Sequence, residues 1–270
     1  CYDSVDAYVE SRQCAINTPC PLYEEIGIKQ GDEYLQLNAN ILQIENEYYS
    51  TVRPKQIPQG DEKPSTALKE RGIAYVELRS LDVNAFDPHG INSEQLYFLE
   101  VFMLFCLLDE SPVLSRSEIS AIDENLLLVA LQGRKPGLDL RRGDEKISLQ
   151  DWATELCNRM KGVAKLLDLA NYCENYFSSV KSQLASVFDP DLTPSARMLA
   201  EMEENDEGFF HHAQRMSKHH YRYYKTHELA EDKLKFFEQQ AETSHNRQKQ
   251  IEQQDEMSFD EYLEDYFKNA

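Results

Sequence analysis

Hydrophobic and polar positions along the 270 residues change rhythm once, near residue 90. Before that point the pattern is mixed. Residues 3–15 ("DSVDAYVESRQCA") carry apolar side chains at helical spacing, with Asp3 or Ser4 placed to cap the first turn. "NTPCP" (17–21) breaks that helix. Residues 34–55 ("YLQLNANILQIENEYYSTVRPK") are rich in Leu, Ile and Tyr, extended in character, and end in a basic, Pro-containing turn. A polar loop over 57–65 and a short helix over 66–71, stopped by Gly72, lead into "GIAYVELRSLDVNAF" (72–86). Side chains alternate sides along a strand, so Ala74, Val76 and Leu78 point one way and Tyr75, Glu77 and Arg79 the other. The apolar side is expected to seat this strand on the core.

After "DPHG" (87–90) the pattern is helical almost throughout. Asn92 and Gln95 have capping-box spacing ahead of "LYFLEVFMLFCLL" (96–108), which stops before Pro112. That run is 13 residues long and contains Glu100, whereas a bilayer span needs about 20 apolar residues. It reads as a buried core helix. Further helices are predicted near 116–132, 149–170, 172–187, 194–204, 208–226 and 227–252. A short amphipathic helix closes the chain, with Phe259, Tyr262, Leu263 and Tyr266 on one stripe. Element order gives an α+β class: residues 1–90 as a strand-bearing part and 91–270 as a helical part packed on it.

Composition narrows the partners. The net charge is -20, with 28 Lys and Arg against 48 Asp and Glu, which repels nucleic acid and anionic membrane surfaces. Any anion site must therefore come from locally gathered cations. The six cysteines (1, 14, 20, 106, 157 and 173) form no CxxC pair, and two fall within helical patterns. Reduced, mostly buried thiols in the cytoplasm are the expectation. No signal peptide pattern opens the chain. It starts at Cys1 with what resembles the tail of a helix, so it is expected to begin inside a longer protein.

The common nucleotide grips, GxxxxGK[ST] and GxGxxG, are missing. "GRKPG" (133–137) places two cations in a glycine turn, and its ordinary reading is a helix end with basic residues against the dipole. His211, His212, His219 and His220 share one predicted helix, but not at the one-turn spacing of zinc ligands, so they read as a solvated face. The acidic runs read as solvated surface. What remains is the strand unit: Glu45, Asn46, Glu47, Tyr48, Tyr49, Arg53 and Lys55, then Tyr75, Glu77 and Arg79. On one sheet face these would offer a carboxylate to Mg²⁺ and guanidiniums to phosphate oxygens. An exposed strand with paired charges would look the same.

"LQLNANILQIENEYYSTVRPK", "GIAYVELRSLDVNAFDPHGI", "GRKPGL" and "DPDLTPSARML" resemble, in order, the proteobacterial family of glutamate–cysteine ligases. The resemblance runs from about residue 3 to the C-terminus. It implies ATP- and Mg²⁺-dependent ligation of glutamate to cysteine through a γ-glutamyl phosphate, the first step of glutathione synthesis. It also implies a fold related to glutamine synthetase, a curved antiparallel sheet forming a funnel with helices outside. By the same resemblance Glu77 is a metal ligand, Arg79 contacts the transferred phosphate, and Tyr49 lines the cysteine pocket. Asn46, Arg53 and Lys55 fall in the ATP and phosphate vicinity. The family's N-terminal half, with most metal-binding carboxylates and the glutamate site, has no counterpart here, so the isolated chain is expected to be inactive. Two rival readings stay open: a ligase joining glutamate to another amine, and an acidic helical scaffold.

Overall fold

A computed structural model of the chain describes residues 2–60 and 62–268; Cys1 lies outside them. The chain divides into two compact units, residues 1–81 with 229–270, and residues 82–228.

The first unit opens with α1 (Val5–Asn17), capped by Ser4, whose hydroxyl accepts the Ala7 N–H at 3.0 Å. α2 (Pro21–Ile26) and the two-residue strands β1 (Lys29–Gln30) and β2 (Glu33–Tyr34) follow. The extended run expected up to residue 55 is mostly irregular, because polar side chains there capture the backbone. Asn38 Oδ1 accepts the Asn40 N–H at 2.9 Å, Gln43 Oε1 accepts the Leu37 N–H at 2.5 Å, and Asn40 donates to the Ile16 carbonyl at 2.6 Å. A 3-10 turn covers Glu45–Glu47, and only β3 (Val52–Lys55) is regular strand. α3 (Pro64–Arg71) ends at Gly72, where φ is +71° and a side chain would be strained. β4 (Tyr75–Leu78) then pairs antiparallel with β3. Tyr8 and Val9 of α1 pack on Leu68 of α3, with Val5 and Tyr48 around them.

The second unit is built on α4 (Ser93–Leu108), α5 (Arg116–Gln132), β5 (Asp139–Arg142), β6 (Glu145–Ser148), α6 (Leu149–Asn171), α7 (Asn175–Phe188), α8 (Pro194–Glu204) and α9 (Phe209–Thr226). Full capping boxes start α4 at Asn92/Gln95 and α5 at Ser115/Glu118. Its core joins α4, α6 and α7 through Val101, Phe105, Cys157, Met160, Ala164, Tyr176 and Val180. Only one stripe of α4 enters that core. Leu107 is 77 % exposed and Leu96 and Leu108 are exposed too, so the helix is not the fully buried one its composition suggests.

The β5–β6 hairpin had no counterpart in the sequence reading. Its register is pinned from outside: Asn125 of α5 donates to the Arg141 carbonyl at 2.7 Å and accepts the Arg141 N–H at 2.9 Å. The histidine helix departs from expectation as well. His212 is buried, its Nδ1 3.2 Å from Glu207 and 3.1 Å from Arg215, and His220 Nε2 donates to the Ala85 carbonyl at 2.8 Å. The acidic neighbours Glu201 and Glu207 come from α8 and its exit turn, while Arg215 lies one turn along the same helix as His212; the helix pattern by itself does not reveal the acidic partners. The thiols also differ from the expectation of mostly buried cysteines. Cys157 is buried, Cys20 and Cys173 are half-buried, and Cys14 and Cys106 are exposed. Cys106 lies next to the buried Phe105 on α4, one residue off the stripe that meets the core.

Back in the first unit, α10 (Glu231–Gln254) has no buried residue, and α11 (Phe259–Lys268) buries Leu263. Asp260 of α11 accepts from Lys29 Nζ at 2.8 Å and from the Tyr34 hydroxyl. The architecture is α+β, with three two-stranded antiparallel sheets among the described residues and many helices. No described helix is long and apolar enough to cross a membrane.

Candidate functional site

β3 and β4 pair with Arg53 opposite Glu77, Pro54 opposite Val76 and Lys55 opposite Tyr75; the Arg79 N–H extends the ladder to the Thr51 carbonyl at 2.8 Å. Residues directly opposite in an antiparallel pair share a face, so Arg53, Lys55, Tyr75, Glu77 and Arg79 form one charged surface. On it Glu77 Oε2 stands 3.1 Å from Arg79 Nε and 3.6 Å from Lys55 Nζ. The Arg79 guanidinium in turn lies 5.0 Å from the ring centre of Tyr49, which is 79 % exposed. Four residues singled out by sequence are thereby brought together: Tyr49, Lys55, Glu77 and Arg79.

Electrostatics follow from that contact set. Arg79, and then Lys55, hold the Glu77 carboxyl below the usual carboxylate range, while Glu77 raises the Arg79 guanidinium. Glu77 is thus an anion at neutral pH. Its Oε2 is shut off from solvent, yet its contacts are ionic and lack hydrogen-bond geometry, which leaves acceptor capacity unused. Arg53 is 7 % exposed, and its side chain makes no hydrogen bond or ion pair among the described residues. Glu77 lies opposite it across the strand pair without forming a salt bridge among the described residues, which leaves the Arg53 guanidinium able to bind an anion.

Other expected members are placed differently. Glu45 is buried and spent on the fold, accepting the Ser65 N–H at 2.8 Å and the Ser65 hydroxyl at the start of α3. Glu47 accepts the Gln43 N–H at 2.6 Å. Asn46 is exposed on the same 3-10 turn, and none of the described contacts joins it to the charged face. Among the described residues the apolar side of β4 is seated only in part, with Leu78 half-buried and Val76 40 % exposed. Among the described residues no group of three or more His, Cys, Asp and Glu is arranged to hold a metal ion. Glu77 could give a divalent cation a single carboxylate, a role Mg²⁺ asks of one or two protein carboxylates.

One neighbour escaped the sequence reading. Arg12 of α1 is buried, its guanidinium 3.0 Å from the ring centre of Tyr48 and 4.7 Å from that of Tyr8. Tyr48 therefore faces inward while Tyr49, the next residue, faces out toward Arg79. A charged residue on a helix reads as solvent-facing, so nothing in the local pattern announced this stack.

Residues 1–129 match the family model described as Glutamate-cysteine ligase. The glutamate–cysteine ligase of Pseudomonas paraeruginosa is 44 % identical over 266 residues, 98 % of this chain and 50 % of that protein. The Pseudomonas putida protein of the same name is 43 % identical, covering 98 % of this chain and 51 % of that protein. The crystal structure of the Francisella tularensis glutamate–cysteine ligase in complex with AMP superposes with a TM-score of 0.92 at 35 % identity, over 100 % of this chain and 53 % of that one. The chain spans about half the length of the curated relatives it matches. With sequence and fold agreeing along nearly all of its length, the chain belongs to the glutamate–cysteine ligase family.

Proposed function

We propose that this chain is the C-terminal part of an ATP-dependent ligase that joins the glutamate γ-carboxylate to the cysteine amine in the cytoplasm. The observation that carries the reading is the strand-borne pair Glu77 and Arg79, 3.1 Å apart beside Tyr49, in a chain whose relatives are named for this reaction. The γ-carboxylate attacks the terminal phosphorus of ATP, and ADP leaves with the bridging oxygen. The cysteine nitrogen then attacks the acyl carbon, inorganic phosphate departs, and the nitrogen loses a proton. The AMP bound by the Francisella relative supports a nucleotide co-substrate.

Within that scheme Arg79 binds the oxygens of the phosphate in transit, and Arg53 supplies a second cation on the same face. Tyr49 walls the cysteine subsite. Glu77 would hold Mg²⁺, which when bound neutralises phosphate charge. Rigid strands keep these groups in place before reaction, which is where electrostatic stabilisation gains most. Lys55 and Arg79 flank the carboxylate so that Glu77 is ionised whenever substrate arrives.

Mutating Glu77→Gln in the intact protein is expected to lower ATP-dependent γ-glutamylcysteine formation about a hundredfold or more. Phosphate release coupled to product, followed at varied Mg²⁺, reads the effect. Undiminished turnover would overturn the assignment, and faster turnover with an amine other than cysteine would redirect it to a related ligase. The isolated 270-residue chain is expected to form no product.

A further inference from the structure

A cavity of about 700 Å³ lies wholly within the second unit, between α4, α6, α7 and the 133–138 turn. Its floor draws on the helical core, Phe98 and Phe102 of α4 with Leu156 and Met160 of α6, and the exposed Phe188 at the end of α7 also lines it. The volume falls inside the range of about 300–1,000 Å³ typical of small-molecule sites. Its roof is held in place by backbone hydrogen bonds. Lys135 N–H donates to Gln132 at 2.8 Å, Leu138 N–H to Lys135 at 3.3 Å, and Leu149 N–H to Leu138 at 2.8 Å. Asn125 clamps the hairpin that continues from this roof. The cavity is preformed rather than a gap between mobile parts.

Its charge is unlike that of the rest of the molecule. Asp and Glu make up 48 of the 270 residues, yet among the described residues no acidic side chain lines this cavity. Two cations do, Arg134 and Lys135. Arg134 is exposed with no ion pair among the described residues, and Lys135 Nζ reaches only Gln132 Oε1, at 3.4 Å. An apolar floor with unpaired cations at its mouth complements a molecule with an apolar body and an anionic head.

We propose that this cavity, which is lined by no residue of the β3–β4 face, is a binding site for a small amphipathic anion. The apolar body packs on Phe98, Phe102 and Phe188, and the carboxylate or phosphate head meets Arg134 and Lys135. Nothing in this proposal depends on the ligase reading.

Calorimetric titration of the intact protein with decanoate, decyl phosphate and decanol tests it. Saturable binding of one or both anions is expected, with decanol weaker by about tenfold or more. The two anions separate a carboxylate head from a phosphate head. Arg134→Glu with Lys135→Glu, both exposed and so neutral for folding, should reduce anion affinity by a similar factor and leave decanol unchanged. Ala153→Trp, which fills the cavity, should abolish binding of all three while the thermal transition persists. Absence of saturable binding would overturn the proposal, as would decanol binding as tightly as decanoate or anion binding indifferent to the charge reversals.

Discussion

Two valines on regular elements show how differently the two units are finished. Val101 of α4 is fully buried, while Val76 of β4 is 40 % exposed. Around Val101 the chain closes its own apolar stripe, because α6 and α7 return side chains such as Met160 and Val180 to the same place. Around Val76 the described residues leave the side chain partly open, and the opposite face of the β3–β4 pair carries Glu77, Arg79, Lys55 and Arg53. Carboxylates divide the same way. Glu100 of α4 takes a hydrogen bond from the Tyr176 hydroxyl at 2.9 Å, which ties two core helices. Glu77 Oε2 is crowded by cations and keeps acceptor capacity. The contrast holds for this pair of carboxylates and not for whole units, since Thr154, His212 and His220 of the second unit also keep a buried polar atom without a hydrogen bond.

The comparison breaks most sharply at Met160, which is 1 % exposed at the centre of the helical core. Met160→Ala should destabilise by about 2–5 kcal/mol, read as a lower urea midpoint. Glu77→Gln, by contrast, should leave that midpoint unchanged while removing turnover, since its partners are half-exposed. If Met160→Ala were neutral, or if Glu77→Gln unfolded the protein, the division into a structural and a working region would fail.

Asn125→Ala sharpens the account of the unexpected hairpin. Two backbone groups of Arg141 lose their partner, at a cost of about 1–3 kcal/mol, with hydrogen exchange at Arg141 rising ahead of exchange in α6. A smaller, pH-dependent effect belongs to Tyr176. The hydrogen bond to Glu100, and then burial, push its phenol from 10.0 up to about 12. A raised phenol pKa in the fold means stability that is complete below about 10 and lost as pH rises through the folded value. Tyr176→Phe should therefore lower the urea midpoint at neutral pH, and its difference from the unmodified protein should shrink between about pH 10 and 12.

Helix starts were the most legible feature, because each rests on a side chain and a backbone N–H within four residues. Ser4, one of two expected candidates, and Asn92 cap as expected, and the helices predicted near 116 and 194 start where Ser115 and Thr193 cap them. Less legible was β5–β6. Its only local signal was Gly143–Asp144 between two short runs, with Gly143 at φ +63° where a tight hairpin wants glycine. The apolar alternation there is weak, and the clamp comes from Asn125, far away in sequence. In the candidate site, Glu77 and Arg79 were legible because strand period alone puts them side by side. Glu45 and Glu47 were grouped with the strand unit because a carboxylate that accepts backbone N–H groups and a ligand carboxylate look alike in sequence.

Sequence alone determined what depends on a few neighbouring residues: where helices begin and stop, that β4 carries acid and base on one side, and that the family's motifs occur in order. Tertiary structure decided what depends on distant partners. It buried Arg12 between two tyrosines, enclosed His212, left Val76 open, and set Arg53 opposite Glu77. The physical reason is range. Capping and strand alternation act over two to four residues and leave a local trace, whereas burial and ion pairing are settled by whichever chain segment arrives from elsewhere.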